Sequence, residues 1–386
     1  MITIHKNLPF TPSYPVERIG RPEDLLFFDI ETTGFSGERC GVYLIGAVCF
    51  ERGGWRLTQW FADTPDSEPK LLRAFFDFLQ NFRILIHFNG DRFDLPFLLK
   101  RCAFYGFDAS FGSVASLDLY RSVRPFKKLW GLEGLTQKDL ERFLGVCRED
   151  PFSGGELIHL YEQYLISGED SLFGPLILHN EEDLTGMLSV LPALCYRDFL
   201  CGSFSFQGYT LKNGDAAPAA SEPGPEAGAA PAAQRTAVLA YESGVCLPKP
   251  VKSLLNAGPG SVPIGLALDG FCLALSVPLY EGELKYFYPD YQNYYYLIYE
   301  DHAIHKSVGQ YVEKAARRQA SPKNCYTRVP GLFLPVPPGW QTDGQRLLKA
   351  SPRDKTAYIP CQEELFPEPG EAGRYLAAIL AENGLM

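Results

Sequence analysis

One stretch near the start of the chain constrains its fold more than any other, the run Leu25 to Gly34, which reads LLFFDIETTG. Pro22 and Gly34 bound an apolar segment, a pattern typical of a buried strand. Because side chains alternate across a strand, Asp29 and Glu31 share one face at its end. Two buried like charges need a compensating cation. A divalent ion suits carboxylate oxygens, and a pair of solvated acids at a strand end is the alternative.

The composition limits the class of protein. A chain of 386 residues is too long for one ordinary core, so we expect two domains. Its ten cysteines form no C-x-x-C pair, which favours reduced thiols in a cytoplasmic protein. We expect neither a secretory signal nor a membrane span, because apolar runs are short. The net charge of -10 argues against bulk electrostatic binding of nucleic acid but permits a local basic groove.

The order of the predicted elements indicates an α/β domain over residues 21–200, preceded by a poorly ordered N-terminal extension at 1–20. Three successive strands suggest an antiparallel meander, and helices follow that alternate with a further strand. This order predicts a mixed sheet flanked by helices. The predicted strands are 25–30, 42–50, 55–61 and 83–88, and the predicted helices are 70–80, 95–105, 135–144, 155–166 and 175–190.

The second half, residues 201–386, is predicted to be a smaller α+β accessory domain. Residues 213–235 are mostly Ala, Pro, Gly and Glu, which predicts a disordered linker or loop because they cannot bury a core. Apolar and aromatic runs typical of strands resume after this segment, and residues 202–211 form a possible strand before it. Helices are predicted over 302–318 and 372–382.

Two further motifs place acids at element ends. The sequence HFNGDRFD, residues 87–94, puts Asp94 where a helix begins, a position that also suits an ordinary N-cap. The sequence LHNEEDL, residues 178–184, puts His179 and Asp183 four apart on one face of a helix. Each motif alone is weak evidence for a functional site, because a His–Asp pair four residues apart on a helix is usually a surface feature.

Taken in order, FDIETTG, N-G-x-x-F-D and H-N-x-x-D resemble the motifs of the DEDD exonuclease superfamily of the ribonuclease-H-like fold, and most closely the YprB-like ribonuclease-H-like family. The resemblance covers roughly residues 21–200 and includes the segments 116–120 and 135–141, Arg148, and the helix around Tyr161 and Tyr164. It implies a metal-dependent 3′→5′ exonuclease that acts on the 3′ ends of single-stranded RNA or DNA.

The resemblance also implies the ligands of two Mg²⁺ or Mn²⁺ ions, namely Asp29, Glu31, Asp94 and Asp183. Two such ions, about 3.5–4 Å apart, clamp the attacking and leaving oxygens of a phosphodiester. Asp29 would bridge both ions, Glu31 and Asp183 would complete one site, and Asp94 would serve the other largely through water. Magnesium and manganese are implied because both prefer oxygen ligands.

His179 departs from the family pattern. One branch of the superfamily has Tyr four residues before the last acid, and another has His five residues before it. Here a histidine stands at the tyrosine spacing. A histidine suits general acid–base chemistry at neutral pH, so we expect His179 to orient or deprotonate the nucleophilic water. A histidine that only bonds a carboxylate is the alternative, and His87 is predicted to pack at the end of a strand.

Candidate substrate contacts surround these acids. Four cations after Asp118 form a local basic patch that could hold phosphates, although solvated surface charge explains them nearly as well. Thr32, Asn89 and Phe93 lie beside the acids and are candidates to hold the terminal nucleotide, Phe93 by stacking. The four cations are Arg121, Arg124, Lys127 and Lys128.

A tyrosine-dense segment, residues 286–296, marks the second half, with basic residues following it. Aromatic and basic side chains together can bind single-stranded nucleic acid. The alternative, which we favour, is that the tyrosines pack a core and an interface. His302 and His305 lack further candidate ligands and are predicted to be structural.

Three functions therefore compete. The first is the 3′→5′ exonuclease, and the second is an endonuclease that uses the same metals. The third is a non-catalytic module that binds nucleic acid or protein on an exonuclease scaffold. The complete set of acids disfavours the third, whereas the acidic net charge and the spacing of His179 leave it open.

Overall fold

The computed structural model describes residues 1–148, 152, 154–213, 235–256, 262–342 and 344–386. All but the two end residues of the predicted linker, 213–235, lie outside these ranges. The chain divides into two compact units, Met1–Asp198 and Phe199–Met386. The functions predicted for residues 21–200 and 201–386 remain predictions. Within the described ranges, no helix has both the length and the apolar character needed to cross a bilayer.

A six-stranded mixed sheet is the framework of the first unit, which confirms the predicted fold class. The strands are β1 (Ile2–Leu8), β2 (Leu25–Thr32), β3 (Val42–Glu51), β4 (Gly54–Phe61), β5 (Ile84–His87) and β6 (Ala115–Asp118), in the spatial order β1-β4-β3-β2-β5-β6. The pairs β1–β4, β4–β3 and β3–β2 are antiparallel, whereas β5 runs parallel to β2 and β6 parallel to β5. β2 lies inside this sheet because both of its faces are apolar, and residues 25–28 are at most 1% exposed.

The prediction of a poorly ordered N-terminal extension is wrong for residues 2–8. This segment is β1, which pairs antiparallel with β4 along its whole length. Its sequence gives a weak strand signal because it is an edge strand, and only Leu8 is buried. The hydrogen bonds of the backbone, rather than an apolar pattern, hold such a strand in place.

The helices that follow in the chain are α1 (Glu68–Leu79), α2 (Asp94–Phe104), α3 (Leu119–Val123), α4 (Gln137–Leu144), α5 (Gly154–Ser167), α6 (Asp170–Val190) and α7 (Leu194–Leu200). Of these, α1 and α6 pack against the central strands of the sheet. A buried ion pair fixes the position of α2, because the Arg101 guanidinium donates two hydrogen bonds of 2.7 Å to the Glu68 carboxylate on α1. The backbone N–H of Val42 on β3 also donates to Glu68, at 2.8 Å.

The described residues of the second unit form three antiparallel sheets and two α-helices. The five-stranded sheet, in the order β7-β8-β11-β10-β9, contains β7 (Phe204–Lys212), β8 (Thr236–Ser243), β9 (Val251–Leu255), β10 (Ile264–Asp269) and β11 (Cys272–Pro278). The other strands are β12 (Tyr280–Phe287), β13 (Tyr294–Leu297), β14 (His302–His305), β15 (Arg317–Gln319), β16 (Tyr326–Val336) and β17 (Ala357–Pro360), with helices α8 (Lys306–Gly309) and α9 (Glu371–Glu382). They form the sheets β12-β16-β17 and β14-β13-β15.

The predicted helix over 302–318 is wrong, because this stretch contains β14, the short α8 and β15. β14 and β15 both pair with β13, which lies between them. Long-range pairing overrides the helical spacing of the two histidines here. Tyr288, Tyr291, Tyr294 and Tyr296 pack around the buried Ala303, Ala320 and Cys325, so these four tyrosines form a small core, as the packing alternative expects.

Candidate active site

β2 carries Asp29 and Glu31 at its carboxyl end. Asp29 stands opposite Gly46 of β3, and Glu31 stands opposite Leu44. The pairing register with β3 shifts directly after Glu31, at Thr32. Glu31 is 8% exposed and Asp29 is half-buried, so both acids lie where solvent compensates their charge only partly.

The turn after β5 brings Asp94 to this region. Asn89 has a φ of +62°, in the left-handed region that few non-glycine residues adopt. Its backbone N–H donates to Asp118 Oδ1 at 2.9 Å, which holds the turn in this conformation. Asp94 is then the first residue of α2 and is buried. The predicted position of Asp94 at a helix start therefore agrees with the structure.

α6 contributes His179 and Asp183, one turn apart on the same face. His179 Nε2 lies 3.5 Å from Asp183 Oδ2 and 3.8 Å from Glu31 Oε1. One ligand atom from each of these three side chains lies within 4.8 Å of the other two. Glu31, His179 and Asp183 could therefore hold one metal ion together, a role for His179 that the sequence interpretation did not include.

Asn180, the residue after His179, positions Asp29. Its Nδ2 donates to Asp29 Oδ2 at 3.0 Å, and its Oδ1 accepts from Gln59 Nε2 at 2.9 Å. Gln59 is fully buried on β4 and also donates to the backbone oxygen of Ile177 on α6, at 3.0 Å. In the sequence, Asn180 is the second residue of the H-N-x-x-D motif and was given no role, and no pattern indicated a role for Gln59.

Gly46 leaves the space that Asn180 fills between β4 and β2. A Cβ atom at Gly46 would overlap Asn180 Oδ1 and Leu184 on α6. We therefore expect Gly46→Ala to cost roughly 1–3 kcal/mol of stability, the usual range for overpacking, because the added Cβ forces α6 away from β3. Urea unfolding measures this loss of stability. The control is Gly54→Ala in the same hairpin, where a Cβ meets open space; equal stability of the two variants would contradict the prediction.

Arg148 holds the other oxygen of Asp183. Its guanidinium donates to Asp183 Oδ1 at 2.5 Å and forms a bidentate pair with Glu141 on α4, at 2.5 and 2.6 Å. Gln137 Nε2 adds a hydrogen bond of 2.8 Å to the backbone oxygen of Asp183. The Asp183 carboxylate thus has one oxygen fixed by Arg148 and the other near His179. Sequence reasoning noted Arg148 only as part of the family resemblance.

Burial and neighbouring acids raise the pKa of both Asp29 and Asp94. Burial, followed by the charges of Asp183, Glu31 and Asp94, raises the pKa of Asp29 well above its ordinary value. Burial is also the main cause that raises the pKa of Asp94 to about 7, and Asp118 and Asp183 add to it. Asp118 Oδ2 is buried and accepts no hydrogen bond from any described residue. The carboxylate oxygens of the site therefore carry an excess of negative charge. They suit a divalent cation, which would lower the repulsion between the carboxylates.

The raised pKa of Asp94 predicts how the metal-free protein responds to pH. The folded state keeps a proton on Asp94 up to about pH 7, whereas the unfolded chain releases it near 3.8. Stability should therefore fall as pH rises through this window, because the folded state binds more protons there. In melting curves from pH 4 to 8 in EDTA, wild type should lose stability relative to Asp94→Asn. Parallel curves for the two proteins would contradict the prediction.

The candidate substrate residues differ in their surroundings. Phe93 lies beside Phe35, with ring centroids 6.2 Å apart, and Phe35 is 91% exposed. Thr32 Oγ1 donates to the backbone oxygen of Gly34 at 2.8 Å. Of the four cations, Arg121 forms an ion pair with Asp91 at 2.7 Å, Lys127 is half-buried, and Arg124 and Lys128 are exposed. Sequence reasoning did not select Phe35, although an aromatic residue directly after the first motif is a usable signal.

Part of the chain is similar to known proteins. Residues 26–195, less than half of the chain, match a family described as RNase_H superfamily. The solved structures that resemble the chain include the family B DNA polymerase from the hyperthermophilic archaeon Pyrobaculum calidifontis, with 19% identity, a TM-score of 0.37, and 46% of this chain and 25% of that chain covered. They also include a product-bound exonuclease I, with 16% identity, a TM-score of 0.26, and coverages of 40% and 46%. The chain thus spans less than half the length of either. Comparison with curated proteins gives no match.

Proposed function

Because residues 26–195 form a ribonuclease-H-like domain, we propose that the chain is a metal-dependent nuclease that removes nucleotides from the 3′ ends of single-stranded RNA or DNA. One observation carries this proposal. Asp29, Glu31, Asp94 and Asp183 come from three separate elements, and they lie close enough to raise the pKa of Asp29 together. Acids in a fold are ordinarily kept apart or paired with cations, so this grouping favours a metal centre.

The donor set suits Mg²⁺ or Mn²⁺. In the proposed enzyme, Asp29, Glu31, Asp94 and Asp183 hold two ions, which supply the charge that activates water and stabilises the departing 3′ oxygen. The protein contributes fixed ligands. Asn180 donates a hydrogen bond to Asp29 Oδ2, and Arg148 donates one to Asp183 Oδ1.

His179 is proposed to orient the attacking water and accept its proton. The imidazole is buried, and its Nε2 lies within 4 Å of both Glu31 and Asp183. Histidine is the residue that most often serves as a general acid or base in catalysis. The same position also suits a metal ligand, and the two roles differ in their effect on metal affinity.

Phe35 and Phe93 are proposed to bind the terminal base. Phe35 is largely exposed and meets Phe93 edge-on, and Phe93 directly precedes Asp94. An exposed aromatic face stacks on any base, with little dependence on sequence. This arrangement supports an enzyme that acts on an unpaired end.

A nuclease assay tests the proposal. The full chain is incubated with Mg²⁺ or Mn²⁺ and with 5′-labelled single-stranded RNA and DNA, which are supplied with free or blocked 3′ ends. We expect a ladder of products that shorten one nucleotide at a time, and no cleavage of the blocked strands. Internal cleavage of blocked strands would assign an endonuclease instead. Binding without cleavage under all conditions would support the non-catalytic module.

Metal should also stabilise the protein. An ion that binds only the folded state adds stability by mass action, and here it also relieves the repulsion between the acids. We expect Mn²⁺ to raise the thermal midpoint of the wild type in scanning fluorimetry. The double variant Asp29→Asn, Asp183→Asn should lose this rise. If both proteins shift equally, the ions bind elsewhere.

A further inference from the structure

A second group of metal-binding side chains lies where β5 and β6 end, and none of its members is one of the four acids of the proposed metal centre. His87 ends β5, Asp118 ends β6, and Asp91 lies in the turn that follows β5. β5 and β6 run parallel with His87 opposite Asp118, so both residues stand at the same edge of the sheet. One ligand atom from each of the three side chains lies within 4.8 Å of the other two. These residues could therefore hold one ion together.

One carboxylate oxygen of Asp118 is buried and has no hydrogen bond from the described residues. The side chain is 2% exposed. Its Oδ1 accepts from the backbone N–H groups of Asn89 and Arg121, at 2.9 and 3.3 Å, whereas Oδ2 accepts from none of them. Oδ2 lies 4.0 Å from His87 Nδ1. A buried carboxylate oxygen without a hydrogen bond is costly, and a cation between Oδ2 and Nδ1 would remove this cost.

The hydrogen bonds of His87 keep one ring nitrogen without a proton. The imidazole is 1% exposed. Its Nδ1 accepts from the backbone N–H of Gly90 at 3.0 Å, so Nδ1 carries no proton and the ring is neutral. Nε2 lies 2.8 Å from Ser116 Oγ, which in turn donates to Asp91 Oδ1 at 2.7 Å. A metal-binding histidine ordinarily donates its second ring N–H to a partner of this kind, so Nδ1 is the candidate ligand atom.

The charges and the ligand types favour Zn²⁺. Arg121 pairs with Asp91 Oδ2 at 2.7 Å, but no described Lys or Arg forms an ion pair with Asp118. One ring nitrogen and two carboxylates suit Zn²⁺, which lies roughly 2.0–2.2 Å from such ligands. The 4.0 Å between His87 Nδ1 and Asp118 Oδ2 leaves room for this ion. Mg²⁺ prefers oxygen ligands alone, and Mn²⁺ binds mixed sites more weakly than Zn²⁺.

We propose that His87, Asp91 and Asp118 bind one Zn²⁺ ion, which joins the ends of β5 and β6 to the turn between β5 and α2. The ion takes the place of the Gly90 N–H at His87 Nδ1, and water completes the usual four ligands. Asp94 directly follows this turn, so the ion fixes the segment that positions Asp94. The inference does not depend on the nuclease function, because none of the three ligands is one of the four acids.

Zinc binding to the full chain tests this site. The parent protein is the double variant Asp29→Asn, Asp183→Asn, which lacks two ligands of the proposed two-ion centre, and a phosphine reductant keeps the cysteines as thiols. We expect calorimetry at pH 7 to show one Zn²⁺ per chain. Adding Asp91→Asn should weaken zinc binding by roughly 100-fold or more, since even the loss of a residue that only supports a ligand costs roughly 10–100-fold. Asp118→Asn should weaken it as much, and its amide oxygen can still accept the two backbone hydrogen bonds.

The matched control is Asp77→Asn in the same parent, because it removes an exposed carboxylate from α1. Asp91 is partly exposed, so Asp91→Asn keeps the test valid if Asp118→Asn does not fold. Zn²⁺ should also raise the thermal midpoint of the control but not that of Asp91→Asn. Absence of zinc binding, or equal zinc affinity of Asp77→Asn and Asp91→Asn, would overturn the proposal. Because the parent lacks the nuclease centre, failure of the nuclease function would leave this comparison unchanged.

Discussion

The Asp29→Asn variant should lose hydrolysis of every substrate down to the background rate, although its fold is intact. The charges of the other three acids all raise the pKa of Asp29, and the neutral amide of the variant would hold a divalent cation less well than the carboxylate does. The hydrogen bond from Asn180 can be kept, because the new amide oxygen accepts as the carboxylate does. Product formation on 5′-labelled single strands, at saturating Mn²⁺, measures the effect.

The same variant should be more stable than the wild type in the absence of metal. Burial and like charges raise the pKa of Asp29, so folding is less favourable above the ordinary pKa of an aspartate, where the unfolded chain has released the proton, and the neutral amide removes this cost. Loss of activity together with a higher thermal midpoint in EDTA is the signature of a functional acid. Asp77→Asn is the matched control, because Asp77 is an exposed acid on α1. Substantial activity of Asp29→Asn would overturn the assignment of this site.

The second large effect is expected at His179. His179→Ala should lower turnover by roughly 10²–10⁴-fold if the imidazole accepts the proton of the attacking water. His179→Tyr should recover part of this loss, because tyrosine is the residue that the resemblance places at this spacing. Single-turnover rates for wild type and both variants, measured against pH, separate a proton-transfer role from a general loss of structure.

Metal affinity distinguishes the two roles of His179. Its Nε2 lies close to Glu31 and Asp183, so a role as ligand would make Mn²⁺ bind more weakly to His179→Ala. We expect the Mn²⁺ affinity, measured by calorimetry, to change little while turnover falls. A parallel loss of both would make His179 a metal ligand, and full activity of the alanine variant would leave it without a role in the reaction.

The spacing of residues along the sequence was enough to predict how site residues on the same strand or the same helix are arranged. The alternation of a strand placed Asp29 and Glu31 on one face, and the period of a helix placed His179 four residues before Asp183. The polar turn after a buried strand placed Asp94 at a helix start. The same local rules predicted the mixed sheet and most helices of the first unit.

Long-range packing decided the rest. Asn180 meets Asp29 and Gln59 across 151 and 121 residues of sequence, and only the register of β2, β3 and β4 brings Gly46 between them. Arg148 reaches Asp183 because α4 and α6 are packed together. No periodicity in the sequence encodes such contacts.

The sequence by itself therefore determined which residues share a face, where most of the elements of the first unit lie, and which acids are candidates for a metal centre. The tertiary structure alone decided that residues 2–8 complete the sheet, that 302–305 form a strand, and that Arg148, Asn180 and Gln59 hold the acids. The physical reason is the range of the interactions. Backbone geometry fixes the direction of a side chain within a few residues, whereas strand register and helix packing depend on the whole folded chain.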